Sequence, residues 1–246
     1  MLKPLLLSLC LCLALVAGVQ AAVEAPTTAL AYRAQSRAAL DELIAANPVA
    51  PVGDAARHLR DRAILEVVQA QSAGLREQTL EALADYREQH PEDLYAKLYE
   101  GYGWLFLAGE YNKRQNFFRA AELAKRGFFL MDEAVDQHPE DWRLHLLRAR
   151  LDTHVPAEFG RHVVALKDLR VLAELGTPAD LDGLLEYLRL RALEAAGQDE
   201  QALQARARLQ ATPLWAELLQ LPDPRLFLTR EEVQHLLAPI LGVTHE

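Results

Sequence analysis

The tetrapeptide His-Pro-Glu-Asp occurs twice, as His90-Pro91-Glu92-Asp93 and as His138-Pro139-Glu140-Asp141. Each copy sits where one run of helically spaced apolar residues ends and another begins. Proline is tolerated in the first turn of a helix, but further in it removes a hydrogen bond and clashes with the preceding turn. Each copy therefore closes one helix and opens the next, and the stretch 80–151 reads as one helical repeat unit followed by another.

The same punctuation divides the rest of the chain. Residues 29–46 carry Leu30, Leu40, Leu43 and Ile44 at helical spacing until Asn47-Pro48 and Pro51 end the run. A second helix is predicted over 54–71 with Leu59, Ala63, Ile64, Val67 and Val68 inward, and after Gly74 a third over 76–89 with Leu80, Leu83 and Tyr86. The fourth, 92–108, is dense in apolar and aromatic residues and contains Gly101. Glycine inside a helix costs about 1 kcal/mol relative to Ala, so a neighbouring backbone is expected to cross there. The segment 111–137 is long for a partner helix. Helices over 141–152 and 160–175 are separated by Thr153-His154-Val155-Pro156, and 178–196, Gly197 and 200–210 form a further hairpin. Thr229 and Glu232 frame a capping box before an apolar run to Leu241. No stretch alternates with period two, so no sheet is expected.

The chain starts Met1-Leu2-Lys3-Pro4, runs apolar over 5–17, and continues Gly18-Val19-Gln20-Ala21. A short apolar run followed by small residues is the pattern of an export signal, with cleavage expected after Ala21 and a single domain over 22–246. That run falls short of the roughly 20 residues a membrane span needs, and no later segment approaches it. The expected product is soluble and periplasmic or secreted. Cys10 and Cys12 follow Leu residues, unlike a lipid-anchor site, and would leave with the leader, so no disulfide and no cysteine nucleophile is expected. Lys3 leaves too, which makes the formal charge of −9 one unit more negative. So acidic a chain is unsuited to general nucleic-acid binding.

The paired helices resemble the tetratricopeptide repeat, whose second helix commonly ends in Pro and whose helices carry small residues at fixed positions. Gly101 and Ala149 fall at the small position of a first helix, Trp104 at its aromatic position, and Gly127 and Ala134 at the small sites of a second helix; Ala202 after Gly197 resembles another copy. Pro91 and Pro139 lie 48 residues apart, against about 34 for the repeat, so the middle unit carries an insertion, most simply a longer second helix with an extended turn over 109–116. The stretch 147–172, with its Pro156-x-x-Phe159-Gly160-Arg161 turn, is also similar to exported bacterial repeat-like proteins of unassigned function. The resemblance implies an all-α fold of helical hairpins stacked into a short right-handed solenoid with terminal capping helices. It also implies that first helices line a concave face where partners bind.

Among polar constellations, His154, Glu158 and His162 are spaced four and four. On a straight helix the outer two stand about 12 Å apart, too far for one metal ion, and they are expected to be solvated loop residues. Arg143, Arg150 and His154 recur on one helix face, near Tyr95 and Tyr102 if first helices lie side by side. Two guanidiniums on one face can take a carboxylate or an acidic peptide end; alternatively they pair with nearby acids. Phe159 and Arg161, from the distinctive turn, complete the candidate binding set. Of the pairs Phe117-Phe118 and Phe128-Phe129, one member of each is expected in the core and the other against a neighbouring helix. His90 and His138 suit helix C-termini. No phosphate loop, His-Glu-x-x-His or Gly-x-Ser-x-Gly stands out. The expectation is a non-enzymatic scaffold without cofactor or metal that binds a protein or peptide partner, among them envelope or transport components. The alternative is a small-ligand carrier for an organic acid, serving a transport system.

Overall fold

The computed structural model describes residues 28–47, 54–221 and 228–242. The expected leader with Cys10 and Cys12, and Pro48 and Pro51, lie outside the described residues. Within them all regular structure is helical, and no helix is long and apolar enough to cross a membrane.

Helix α1 (Ala29–Ala46) starts at Thr28, whose hydroxyl accepts the Ala31 N–H. It is followed by α2 (Ala55–Ala73), α3 (Glu77–Gln89), α4 (Leu94–Lys113), α5 (Phe117–Gln137), α6 (Trp142–Asp152), α7 (Arg161–Leu175), α8 (Asp182–Ala195), α9 (Asp199–Gln210) and the short α10 (Pro213–Leu218). A C-terminal rod then runs from Arg230–Glu232 through a π turn, Val233–Leu237, to Ala238–Ile240. Helices α2 and α3, α4 and α5, α6 and α7, and α8 and α9 pack as successive hairpins. Helix α4 also packs on α2 and α3, α6 on α4 and α5, and α8 on α7.

The two His-Pro-Glu-Asp copies do the same work at each joint. His90 and His138 are the C-caps of α3 and α5. Asp93 and Asp141 are the N-caps of α4 and α6, their carboxylates accepting the backbone N–H of Ala96 and Arg143. Each carboxylate also takes a side chain from the preceding unit's first helix: Arg60 of α2 donates to Asp93 at 2.9 Å, and the Tyr95 hydroxyl of α4 donates to Asp141 at 2.6 Å. One tetrapeptide thus stops a helix, starts another and ties it to the unit before.

Helix α4 is buried on nearly all sides, as a helix enclosed by α2, α3, α5 and α6 must be. Its one fully buried carboxylate, Glu100, accepts from Arg87 at 2.8 Å and from Trp104 Nε1 and Arg126 at 2.9 Å each. Gly101 and Gly127 are where α4 and α5 come closest. A Cβ on Gly127 would lie 2.6 Å from Leu105 Cγ and 2.7 Å from the Gly101 carbonyl oxygen, and one on Gly101 2.8 Å from the Gly127 carbonyl oxygen. Gly127→Ala is therefore expected to cost about 1–3 kcal/mol in urea unfolding, because prising the backbones apart outweighs the gain of about 1 kcal/mol in helix propensity. An unchanged or raised midpoint would contradict the close crossing.

The insertion is not an extended turn: α4 runs on to Lys113 and α5 begins at Phe117, with Gln115 at positive φ in the tight link. Residues 213–218, with no predicted element, form α10 behind Pro213. Leu30 and Leu59 point to solvent; α1 buries Leu43 as expected, together with Ala29, Tyr32 and Ser36. The cause is its partner: α1 packs on α10 and the C-terminal rod and does not simply cap the α2–α3 hairpin. Phe117 and Phe118 are both exposed, as is Phe129, while Phe128 is only half-buried.

Candidate functional site

The C-terminal rod lies across the first helices. Thr229 and Glu232 form the capping box, with the Glu232 backbone N–H donating to Thr229 Oγ1 at 3.1 Å and the Thr229 N–H donating to Glu232 Oε2 at 2.8 Å. The second oxygen of Glu232 accepts from Arg150 on α6. Arg143, two helical turns earlier on the same face, donates to the His235 carbonyl oxygen at 2.9 Å, and Arg60 on α2 donates to the Ile240 carbonyl oxygen at 2.7 Å. On the other side of the rod, Tyr32 of α1 donates to Glu231, and the Arg230 N–H donates to Ser36 Oγ at 3.1 Å. Of the two arginines on one face, Arg150 thus meets a carboxylate and Arg143 a backbone carbonyl, both from the chain's own rod. Burial works against the charge of Arg150, but the Glu232 carboxylate outweighs it and raises the guanidinium pKa.

The remaining candidates fall into two sets. Tyr95 hydrogen-bonds Asp141, the Tyr102 hydroxyl donates to the Leu147 carbonyl oxygen, and His154 Nδ1 stands 2.7 Å from the Arg150 carbonyl oxygen. These belong with Arg143 and Arg150 on the α4–α6 side. Phe159 and Arg161 lie elsewhere, against α5: the Phe159 ring centroid is 6.0 Å from that of Phe128, over which the Arg161 guanidinium also sits at 4.7 Å. Among the described residues no group of three His, Cys, Asp or Glu is placed to hold a metal ion; Glu158 is exposed in the turn before α7.

Arg161 is part of a buried charge network between α5, α6 and α7. It donates to both oxygens of Asp132 at 2.8 Å and to Asp152 at 2.8 Å. Arg148 bonds both oxygens of Asp168, at 2.8 and 2.7 Å, and reaches Asp132 at 3.2 Å, while His145 lies 2.7 Å from Asp168. Because Asp132 already answers Arg161, Asp152 is the least needed of the carboxylates. Burial drives its carboxyl up to about 7 against the pull of Arg161, with Asp132 and Asp168 pushing the same way. Its Oδ2 is buried without a hydrogen-bond partner among the described residues.

A carboxyl whose folded pKa lies above its unfolded value of about 3.9 binds protons better folded than unfolded. Its contribution to stability is present below about pH 4 and is lost as pH rises to about 7. Asp152→Asn removes this titration. The unfolding free energy of the wild type minus that of the variant, from urea curves between these limits, is expected to fall as pH rises. A constant or rising difference would contradict the assignment.

Where α1 and the rod cross the first helices they leave a cavity of about 440 Å³. Its wall includes Tyr99, Tyr102 and Arg150 at the base, and Arg33 and Arg37 of α1 at the mouth. Burial raises both phenols above their ordinary range, so they remain neutral donors. Of the sequence candidates only Tyr102 and Arg150 line this space; Arg33, Ser36, Arg37, Gln69 and Tyr99 were missed. The pattern that could have found three of them is the polar spacing Arg33, Ser36, Arg37 on α1, which pairs with Tyr32 on a face too polar for a core stripe. A second cleft, of about 340 Å³ between α7 and α8, carries only the Arg189–Glu186 pair and Asp182 as charged lining. The cavity offers cations, hydroxyls and rings; neither imidazole nor thiol lines it.

No protein-family model matches the chain, and neither a curated protein nor a solved structure is similar enough to it to match.

Proposed function

We propose that the chain is an exported helical-repeat scaffold of the bacterial periplasm, a short right-handed solenoid of the tetratricopeptide type that binds protein partners and catalyses no reaction. Four hairpins pack in chain order, each too small to bury a core alone, which is the logic of a repeat array. The identical joints at Asp93 and Asp141 support the same reading. The first-helix face already holds a helical segment, the chain's own rod, so it is not the surface left for a partner.

The observation that carries the reading is on α5. Phe118 is 85% exposed and Phe129 64%; they are eleven residues apart, so they share one face of the helix, and Phe117, next in sequence to Phe118, and Phe159, against Phe128, are exposed as well. Large aromatic rings left in water are more typical of a binding surface than of a solitary domain. A Phe118→Ser, Phe129→Ser double variant tests it. Both positions are exposed, so folding should change by no more than about 0.5 kcal/mol. Cross-linking in the native host envelope is expected to give discrete heavier species with the wild type that vanish in the variant, and the mature protein should begin at residue 22 by intact mass. Identical cross-linked species from both proteins would overturn the reading.

A further inference from the structure

We propose that α5 is the interface of a symmetric dimer, in which the exposed face of the helix packs antiparallel on the same face of a second copy of this chain. The proposal names the partner for the α5 surface and rests on that surface being a binding site. Helix α5 packs on α4 and α6, and its outward stripe includes Phe118, Glu122, Lys125 and Phe129, all exposed. Their spacing of four, three and four residues is that of the contact positions in a two-helix seam. The seam covers about 16 Å of helix. A chain that stayed alone would gain nothing from holding a phenylalanine in water at each end of it.

The stripe is its own complement. Read from the other end the spacing is again four, three and four, so on a reversed copy Phe118 meets Phe129 and Glu122 meets Lys125. A two-fold axis makes each contact reciprocal, and two aromatic pairs then flank two ion pairs. The parallel arrangement would set Glu122 on Glu122 and Lys125 on Lys125, and like charges facing each other across an interface are strongly disfavoured. Both charges are available for the contact. Glu122 gives one oxygen to Arg119 at 2.9 Å in a pair open to solvent, which leaves its other oxygen free to accept. Lys125 is exposed and makes no ion pair with a described residue. Each phenylalanine can remove about 150 Å² from water, so four rings and the charged pairs between them bury about 1,000 Å², the lower bound for a specific interface. A reversible dimer with a Kd of about 10–100 μM is expected for that area.

The test is sedimentation equilibrium of the purified mature protein and of charge variants at the centre of the seam. The wild type is expected to be mainly dimeric at about 500 μM and mainly monomeric at about 1 μM. Glu122→Lys and Lys125→Glu each bring like charges together and should weaken the dimer by about tenfold or more, whereas the two exchanges combined restore opposite pairs and should return Kd to within about threefold of the wild type. The Phe118→Ser, Phe129→Ser variant should remain monomeric up to about 500 μM. All four positions are exposed, so every variant is expected to keep the fold. A combined exchange no tighter than the single variants, a dimer that survives loss of both phenylalanines, or a wild type still monomeric at about 500 μM would each overturn the proposal. In the last case, host cross-links that depend on Phe118 and Phe129 would leave partner binding standing with another protein as the occupant, and cross-links that do not would remove the binding surface as well.

Discussion

Glu232→Ala is expected to lower the free energy of unfolding by about 3–5 kcal/mol, because it leaves a guanidinium inside the protein without its carboxylate. Arg150 is buried and Glu232 fully so. The same side chain also caps the rod through the Thr229 N–H, and loss of a cap alone costs about 1 kcal/mol. Glu232→Gln separates the two contributions: its amide oxygen can still accept from Thr229, but it carries no charge for Arg150. Most of the loss should therefore appear in Gln as well. Urea unfolding of both variants checks this, and a loss below about 1 kcal/mol in each would mean that the pair behaves as a surface contact and that the rod is not seated on α6.

Asp168→Ala is the second large effect, also about 3–5 kcal/mol. Asp168 is fully buried and receives Arg148 through two nitrogens and His145 through one. Removing it strips the chief counter-charge from the buried Arg148 and the carboxylate partner from the His145 ring, both on α6. Arg148 keeps a longer bond to Asp132 at 3.2 Å, which places the result toward the lower end of that range. The exposed pair Arg119–Glu122, at a similar 2.9 Å, is the control: breaking it should cost no more than about 0.5 kcal/mol. Equal losses at the two sites would contradict the burial argument.

The helices themselves were legible in the sequence, because Pro91, Pro139, Gly74, Gly176 and Gly197 each break the backbone pattern locally. Gly101 and Gly127 were legible for the same kind of reason: a residue that weakens a helix needs a packing cause, and the near contact of α4 and α5 supplies it. The capping function of Glu232 could be read from Thr-x-x-Glu; its second oxygen, on Arg150, could not. That contact spans 82 residues, and nothing local distinguishes a carboxylate bound for a distant arginine from one bound for water. The same holds for α1, whose buried stripe follows from a partner 199 residues away, Glu231 against Tyr32. The aromatic pairs on α5 misled because periodicity tells which residues share a face but not whether the face is covered. The partners of Arg161, Asp132 and Asp152, were not legible, since they come from two other helices.

The C-terminal rod occupies the face of the first helices, with α1 packed against it. Native-state hydrogen exchange tests this most directly. The amides of Val233–Leu237 are expected to be protected to nearly the same degree as those of α4, and to lose that protection in Glu232→Ala before α4 does. Exchange of the rod at the rate of an unstructured peptide in the wild type, with α4 protected, would contradict it.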